Sequence, residues 1–248
     1  MNRLKALKYV GRPKICVPVV AGDINEIESN IHRIVESKAD IIEFRIDYLV
    51  NISLENTQKG IETIRKYSDL PMLVTFRSGF EGGDKDTSRE EYEHILEKVI
   101  TSGADFDGID IEMFTPRAKE LVKIAHDNNL MVIMSSHDFN DTPEMEELSK
   151  RFLSMKEMGC DIAKIACMPK DYKDVLRLMD ATLDAKNNLE IPVVSMSMSG
   201  LGLVSRMSGQ CYGSAITFAS AGKVSAPGQI DSKELEKIIS VISKNLEA

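Results

Sequence analysis

The chain has 248 residues, with 31 Lys+Arg against 39 Asp+Glu and a formal net charge of −8. That balance speaks against a nucleic-acid binder, which needs a cationic face to displace counterions from phosphates. With 43% hydrophobic and 28% charged residues, the composition is that of an ordinary globular chain, neither disordered nor membrane-integral. From the N-terminus, residues 1–8 carry basic side chains but no apolar core ahead of a cleavage site, so no secretory signal is expected. No apolar run approaches the ~20 residues of a membrane span. The cysteines Cys16, Cys160, Cys167 and Cys211 form no CxxC pair, and three of them sit in apolar, strand-like contexts. A disulfide framework is not expected, and the expected location is the cytoplasm.

Runs of β-branched and aliphatic residues predict strands over 15–20, 41–46, 72–76, 108–111, 131–135, 162–166, 193–196 and 215–219. Stretches with a 3.6-residue apolar period predict helices over 25–37, 54–66, 88–102, 116–128, 143–158, 171–186 and 232–245, with a weak pattern over 203–209. Divided among eight strand–helix pairs, the chain gives about 31 residues to each, the size of one βα unit with its loops. Strands such as Met131-Val132-Ile133-Met134 are apolar nearly throughout, as in a parallel sheet covered by helices. A doubly wound sheet would call for a glycine-rich first turn, and Val17-Pro18-Val19-Val20-Ala21-Gly22-Asp23 has no GxGxxG. The expected fold is therefore α/β, a (β/α)8 TIM barrel forming a single domain over 1–248, with residues 1–13 as an N-terminal extension over the barrel floor.

A barrel of this kind displays its chemistry at the C-terminal ends of its strands. Strand two ends in Glu43-Phe44-Arg45-Ile46-Asp47, and alternation places Glu43 and Arg45 on the interior face. Arg77 follows strand three, Asp110 and Glu112 lie in strand four, and His137 with Asp138 follows strand five. Lys164 sits inside the apolar run Ile162-Ala163-Lys164-Ile165-Ala166. An ammonium there must be paired, reach water or lose its proton, and a neutral buried amine attacks carbonyls to form Schiff bases. The alternative is a structural lysine paired with Asp110 or Glu112. His32, His94 and His126 fall in helices among charged neighbours. His137, one strand before Lys164, reads either as a general acid/base or as a histidine that caps its loop with Asp138; together with an interior lysine on the next strand it describes a Schiff-base site with its proton shuttle. Drawing His137, Asp110, Glu112 and Glu43 together as metal ligands is disfavoured, because the lysine and arginines of the same interior would repel a cation. The small-residue segment 221–229 reads as a phosphate cradle, a lid or a plain connection. Arg206 offers a fork to a carboxylate or phosphate unless it is a surface charge. Met196 and Met198 point the same way, toward a pocket or the core.

Taken in order, Glu43-Phe44-Arg45-Ile46-Asp47, Phe76-Arg77-Ser78 with Glu81-Gly82-Gly83, Ser136-His137-Asp138-Phe139, Lys164-Ile165-Ala166, Ser195-Met196-Ser197-Met198-Ser199 with Gly202, Ser205-Arg206, Tyr212-Gly213-Ser214-Ala215 and Ser225-Ala226-Pro227-Gly228-Gln229 resemble the type I 3-dehydroquinate dehydratases. The set covers 41–229 and is specific as an ordered whole. The resemblance implies a (β/α)8 barrel, usually a homodimer, that converts 3-dehydroquinate to 3-dehydroshikimate in the shikimate pathway without a cofactor. It implies Lys164 as Schiff-base lysine, His137 as general acid/base, Glu81 as the carboxylate that orients that histidine, and Asp110 as a further carboxylate behind it. Arg206 resembles the clamp on the substrate carboxylate. Glu43, Arg45 and Arg77 resemble the polar wall, Met196, Met198 and Phe218 the apolar wall, and Ser225 and Gln229 the lid contacts. Pro18 departs from the serine many members carry nearby. The remaining alternatives are a class I aldolase, which would want more basic residues around a phosphate, and a barrel that binds a small acid without catalysis.

Overall fold

The computed structural model describes residues 2–222 and 226–246. Its strands are β1 (Lys14–Val19), β2 (Ile41–Arg45), β3 (Met72–Thr75), β4 (Gly108–Glu112), β5 (Met131–Asp138), β6 (Ile162–Cys167), β7 (Val193–Ser197) and β8 (Ile216–Phe218). Its helices are α1 (Ile24–Val35), α2 (Leu54–Tyr67), α3 (Arg89–Ile100), α4 (Ala118–Asp127), α5 (Met145–Glu157), α6 (Tyr172–Asn188), α7 (Leu203–Met207), α8 (Gly209–Tyr212) and α9 (Ser232–Leu246). All strand pairs are parallel, in the order β7-β6-β5-β4-β3-β2-β1-β8, and a bridge from Val193 to Ser214 links the two ends into a (β/α)8 barrel.

The helices start where the sequence supplies acceptors for their first amides. Asp23 caps α1, Ser53 caps α2, Asp171 caps α6, and Ser88 with Glu91 forms a capping box on α3. Most boundaries shift by one or two residues from the sequence expectation, and three differences lie close to the upper barrel. Strand β5 continues to Asp138 because Ser136, His137 and Asp138 keep their pairing with Ile165, Ala166 and Cys167. Strand β2 stops at Arg45, and Ile46–Tyr48 turns into a 3-10 helix. The weak pattern over 203–209 becomes two short helices that break at Ser208.

Alternation along the strands divides the apolar residues into two layers. Outward residues such as Phe44, Val74, Ile109 and Ile165 pack under the helices with Ile27, Leu121 and Leu178. Inward residues near the strand starts, among them Ile41, Leu73, Ile133, Ile162 and Ile216, form a second cluster inside the barrel, and Leu4 joins it from the floor. Asp107 ties that N-terminal segment down: it accepts the Arg3 N–H at 2.8 Å, the Met72 N–H at 2.9 Å and the Arg65 guanidinium at 2.6 Å. The lower barrel is thus filled with hydrocarbon, and only the upper layers hold charge. Among the described residues no helix is long and apolar enough to cross a membrane.

Candidate active site

The upper barrel opens with one in-register row across three strands. Glu112 on β4 pairs with Ser135 on β5, and Ser135 pairs with Lys164 on β6. Lys164 Nζ lies 3.2 Å from Asp110 Oδ2 and 4.5 Å from the centroid of the Phe218 ring. The other Asp110 oxygen accepts from Arg77 at 2.8 Å and from Ser135 Oγ at 2.6 Å. Burial alone would raise the Asp110 pKa, but Arg77 and Lys164 outweigh it and hold the carboxyl at about 2. Arg77 also binds Glu112 at 2.9 Å, and Glu112 accepts the Ser78 hydroxyl at 2.6 Å. Asp110 therefore binds Lys164, a pairing the sequence left open for a structural lysine, together with Arg77, rather than standing behind the histidine as the resemblance implies.

His137 stands two residues beyond Ser135 and so shares its interior face. Its Nδ1 lies 2.8 Å from Glu81 Oε2, and the same oxygen accepts the His137 backbone N–H at 3.0 Å. Burial, then the cations Arg77, Lys164 and Arg45, push the imidazole pKa well below its ordinary range. Burial likewise pushes Glu81 up to about 8, against the pull of Arg77. The site therefore holds a neutral imidazole, anchored through Nδ1, with Nε2 left for chemistry. Gly82, the next residue after Glu81, has φ +78°, and a Cβ there would run into the Phe139 ring. Only glycine lets Phe139 close that side of the cavity.

The remaining arginines differ in their partners. Arg45 donates as a two-point fork to Asp47, Nε to Oδ1 at 2.8 Å and Nη2 to Oδ2 at 2.7 Å, and Glu43 accepts the Thr75 hydroxyl at 2.9 Å. Arg206 is 1% exposed, yet it has no carboxylate partner among the described residues. Its Nη atoms reach only carbonyls, Pro227 O at 3.0 Å and Phe218 O at 3.5 Å, and the Met196 sulfur; its Nε has no partner there. Burial without a counter-charge lowers its pKa to about 10. The surface reading of Arg206 is excluded.

Glu43, Arg45, Arg77, Glu81, His137, Lys164, Met196, Met198, Arg206, Phe218 and Gln229 line one cavity. Ser225 lies outside the described residues. Two contributors were missed from the sequence. Asp47 stands two residues past Arg45, where alternation alone suggests a partner. Ser135 was masked by a neighbouring serine, although period two put it in line with His137.

Fold and cavity together define a class, the (β/α)8-barrel lyases that act on small molecules. A family model described as type I 3-dehydroquinase matches residues 15–246, and the chain belongs to that family. It is 41% identical over 239 residues to the 3-dehydroquinate dehydratase of Clostridium novyi (strain NT), covering 94% of this chain and 93% of that one. To the enzyme of Clostridioides difficile (strain 630) it is 41% identical over 241 residues, or 95% and 94% of the two chains. The crystal structure of the Clostridium difficile type I enzyme with covalently modified comenic acid superposes with a TM-score of 0.89 at 40% identity, over 94% of this chain and 93% of that one. The Geobacillus kaustophilus 3-dehydroquinate dehydratase superposes with the same TM-score of 0.89 at 32% identity, over 94% and 91%.

Proposed function

We propose that the chain dehydrates 3-dehydroquinate to 3-dehydroshikimate through an imine on Lys164. The observation that carries this reading is the meeting of a lysine amine and a neutral imidazole, from adjacent strands, in a cavity with one unneutralised guanidinium. Arg206 receives the substrate carboxylate, because it is the buried cation that lacks an anion. Arg45 and Glu43 face ring hydroxyls; Arg45, already neutralised by Asp47, acts there as a directional donor.

The Lys164 amine, once it has given up its proton, attacks the ring ketone, and His137 moves protons through the carbinolamine as water leaves. The resulting iminium draws electrons from the adjacent carbon, so His137 can remove a proton there and form the enamine. The electron pair then expels the neighbouring hydroxyl, which takes the proton His137 has just acquired, a syn elimination. Water finally hydrolyses the imine and returns Lys164. The iminium is itself the electron sink, so the sequence of steps calls for no cofactor. On the same reading the whole chain is one domain, working as a homodimer in the cytoplasm within the shikimate pathway.

Borohydride reduction in the presence of 3-dehydroquinate tests the reading. The expected result is a stable adduct whose peptide map ends on Lys164 and which Lys164→Ala abolishes. An adduct on another lysine, or none, overturns it.

A further inference from the structure

Lys164 has to release a proton before its amine can attack, and the group that holds this proton most directly is Asp110. What sets the grip of Asp110 is therefore a determinant of the reaction. Its Oδ2 faces Lys164, while its Oδ1 takes two donors, Arg77 Nη2 at 2.8 Å and Ser135 Oγ at 2.6 Å. Ser135 in turn accepts from Arg77 Nη1 at 3.0 Å, so its hydroxyl hydrogen has one direction to point in. The residue is fully buried and pairs in register with both Glu112 and Lys164. It has no place in the reaction steps above.

Resting on the imine mechanism, we propose that Ser135 is a positioning residue: its hydroxyl bridges Arg77 to Asp110 and tunes how tightly Asp110 holds the Lys164 ammonium. The bridge spreads the Asp110 charge over a third donor, and a hydrogen bond to a charged group is worth enough to matter kinetically. Without the hydroxyl, Asp110 attracts the ammonium more strongly and amine release is postponed to higher pH. The other ionisable groups around Lys164 are Cys16 from β1, Glu43 and Arg45 from β2, Arg77 and Glu81 from the segment after β3, Glu112 from β4, His137 from β5 and Arg206 from α7. All of these are unchanged in a Ser135 variant. On the far side Lys164 meets Val194 and the Phe218 ring, which carry no charge.

The test is the pH profile of kcat/KM for 3-dehydroquinate with wild type, Ser135→Ala and Ser135→Thr. In Ser135→Ala the acid limb is expected to move up by about one pH unit, with kcat at pH 6 down about 10-fold and KM within about twofold of wild type. Ser135→Thr keeps the hydroxyl and restores the limb; should its extra methyl prevent folding, Ser135→Cys, a weaker donor, falls between. Ser136→Ala is the control, since Ser136 lies on the opposite face beside Arg151 and its loss leaves the limb in place. An unmoved limb in Ser135→Ala, or a lower Tm with no change of profile, overturns this proposal while the dehydratase reading stands. A wild-type chain that forms no adduct on Lys164 overturns both.

Discussion

Arg206 is an unusual burden for a folded chain, and its replacement by an apolar side chain of similar length exposes the cost. Burial with no carboxylate at hand brings the guanidinium pKa down to about 10, from a normal value above 12. At about 1.4 kcal/mol per pH unit this corresponds to ~3 kcal/mol of unfavourable desolvation, present throughout the neutral range because the group stays charged below about 10. Arg206→Met removes that cost together with the Nε that has no partner, but also loses the bonds to Pro227 O and Phe218 O, worth about 1 kcal/mol each. The net expectation is a gain of about 1 kcal/mol, or 2–4 °C in Tm for a chain of this size. Affinity for the substrate acid should fall in the same variant, because a buried anion then lacks its cation, a loss of 2–5 kcal/mol and therefore about 30-fold or more in KM. Differential scanning calorimetry and steady-state kinetics on one preparation read both numbers. A lower Tm, or an unchanged KM, refutes the view of Arg206 as an unneutralised anion receptor.

Two further expectations concern the histidine side of the cavity. Glu81 keeps its proton up to about 8 in the fold but ionises near 4.3 in the unfolded chain, so its contribution to stability is full below ~4.3 and is lost as pH rises toward 8. His137, held low, works in the opposite sense, contributing fully above ~6.5 and less as the pH falls. Urea unfolding of wild type and Glu81→Gln should therefore show wild type losing ground between pH 5 and 8, by up to ~1.4 kcal/mol per pH unit; a pH-independent gap refutes the raised carboxyl. Gly82→Ala forces a side chain into the left-handed region and against the Phe139 ring, for a combined cost of ~2–4 kcal/mol. A thermal melt within 2 °C of wild type would show that Phe139 does not pack as described.

The barrel was legible because its signals are local and repeated: apolar runs alternating with amphipathic stretches. Lys164 stood out as a cation in an apolar strand, and His137 through its place at a strand end. What sequence could not supply were partners. Nothing near Arg206 in the chain shows that it is buried, since α7 is five residues long and too short for a period to register. Asp110 was open between Lys164 and, by resemblance, the histidine, and register and reach deliver it to Lys164 and Arg77. The interior cations also gain partners that depend on the fold. Arg45 is paired locally with Asp47, whereas Arg77 and Lys164 are bound to Asp110 from another strand, a pairing that exists only once strands lie side by side.

That pairing decides which acids the site admits. Its buried cations are Arg45, Arg77, Lys164 and Arg206, and its buried carboxyl groups are Glu43, Asp47, Glu81, Asp110 and Glu112. Glu81 keeps its proton up to about 8 and so adds no charge at neutral pH, while Arg45, Arg77 and Lys164 are each paired to a carboxylate and Arg206, among the described residues, is not. On the proposed reading one negative charge finds Arg206 and a second finds only cations already paired, which favours a singly charged hydroxy acid over a sugar phosphate or a dicarboxylate.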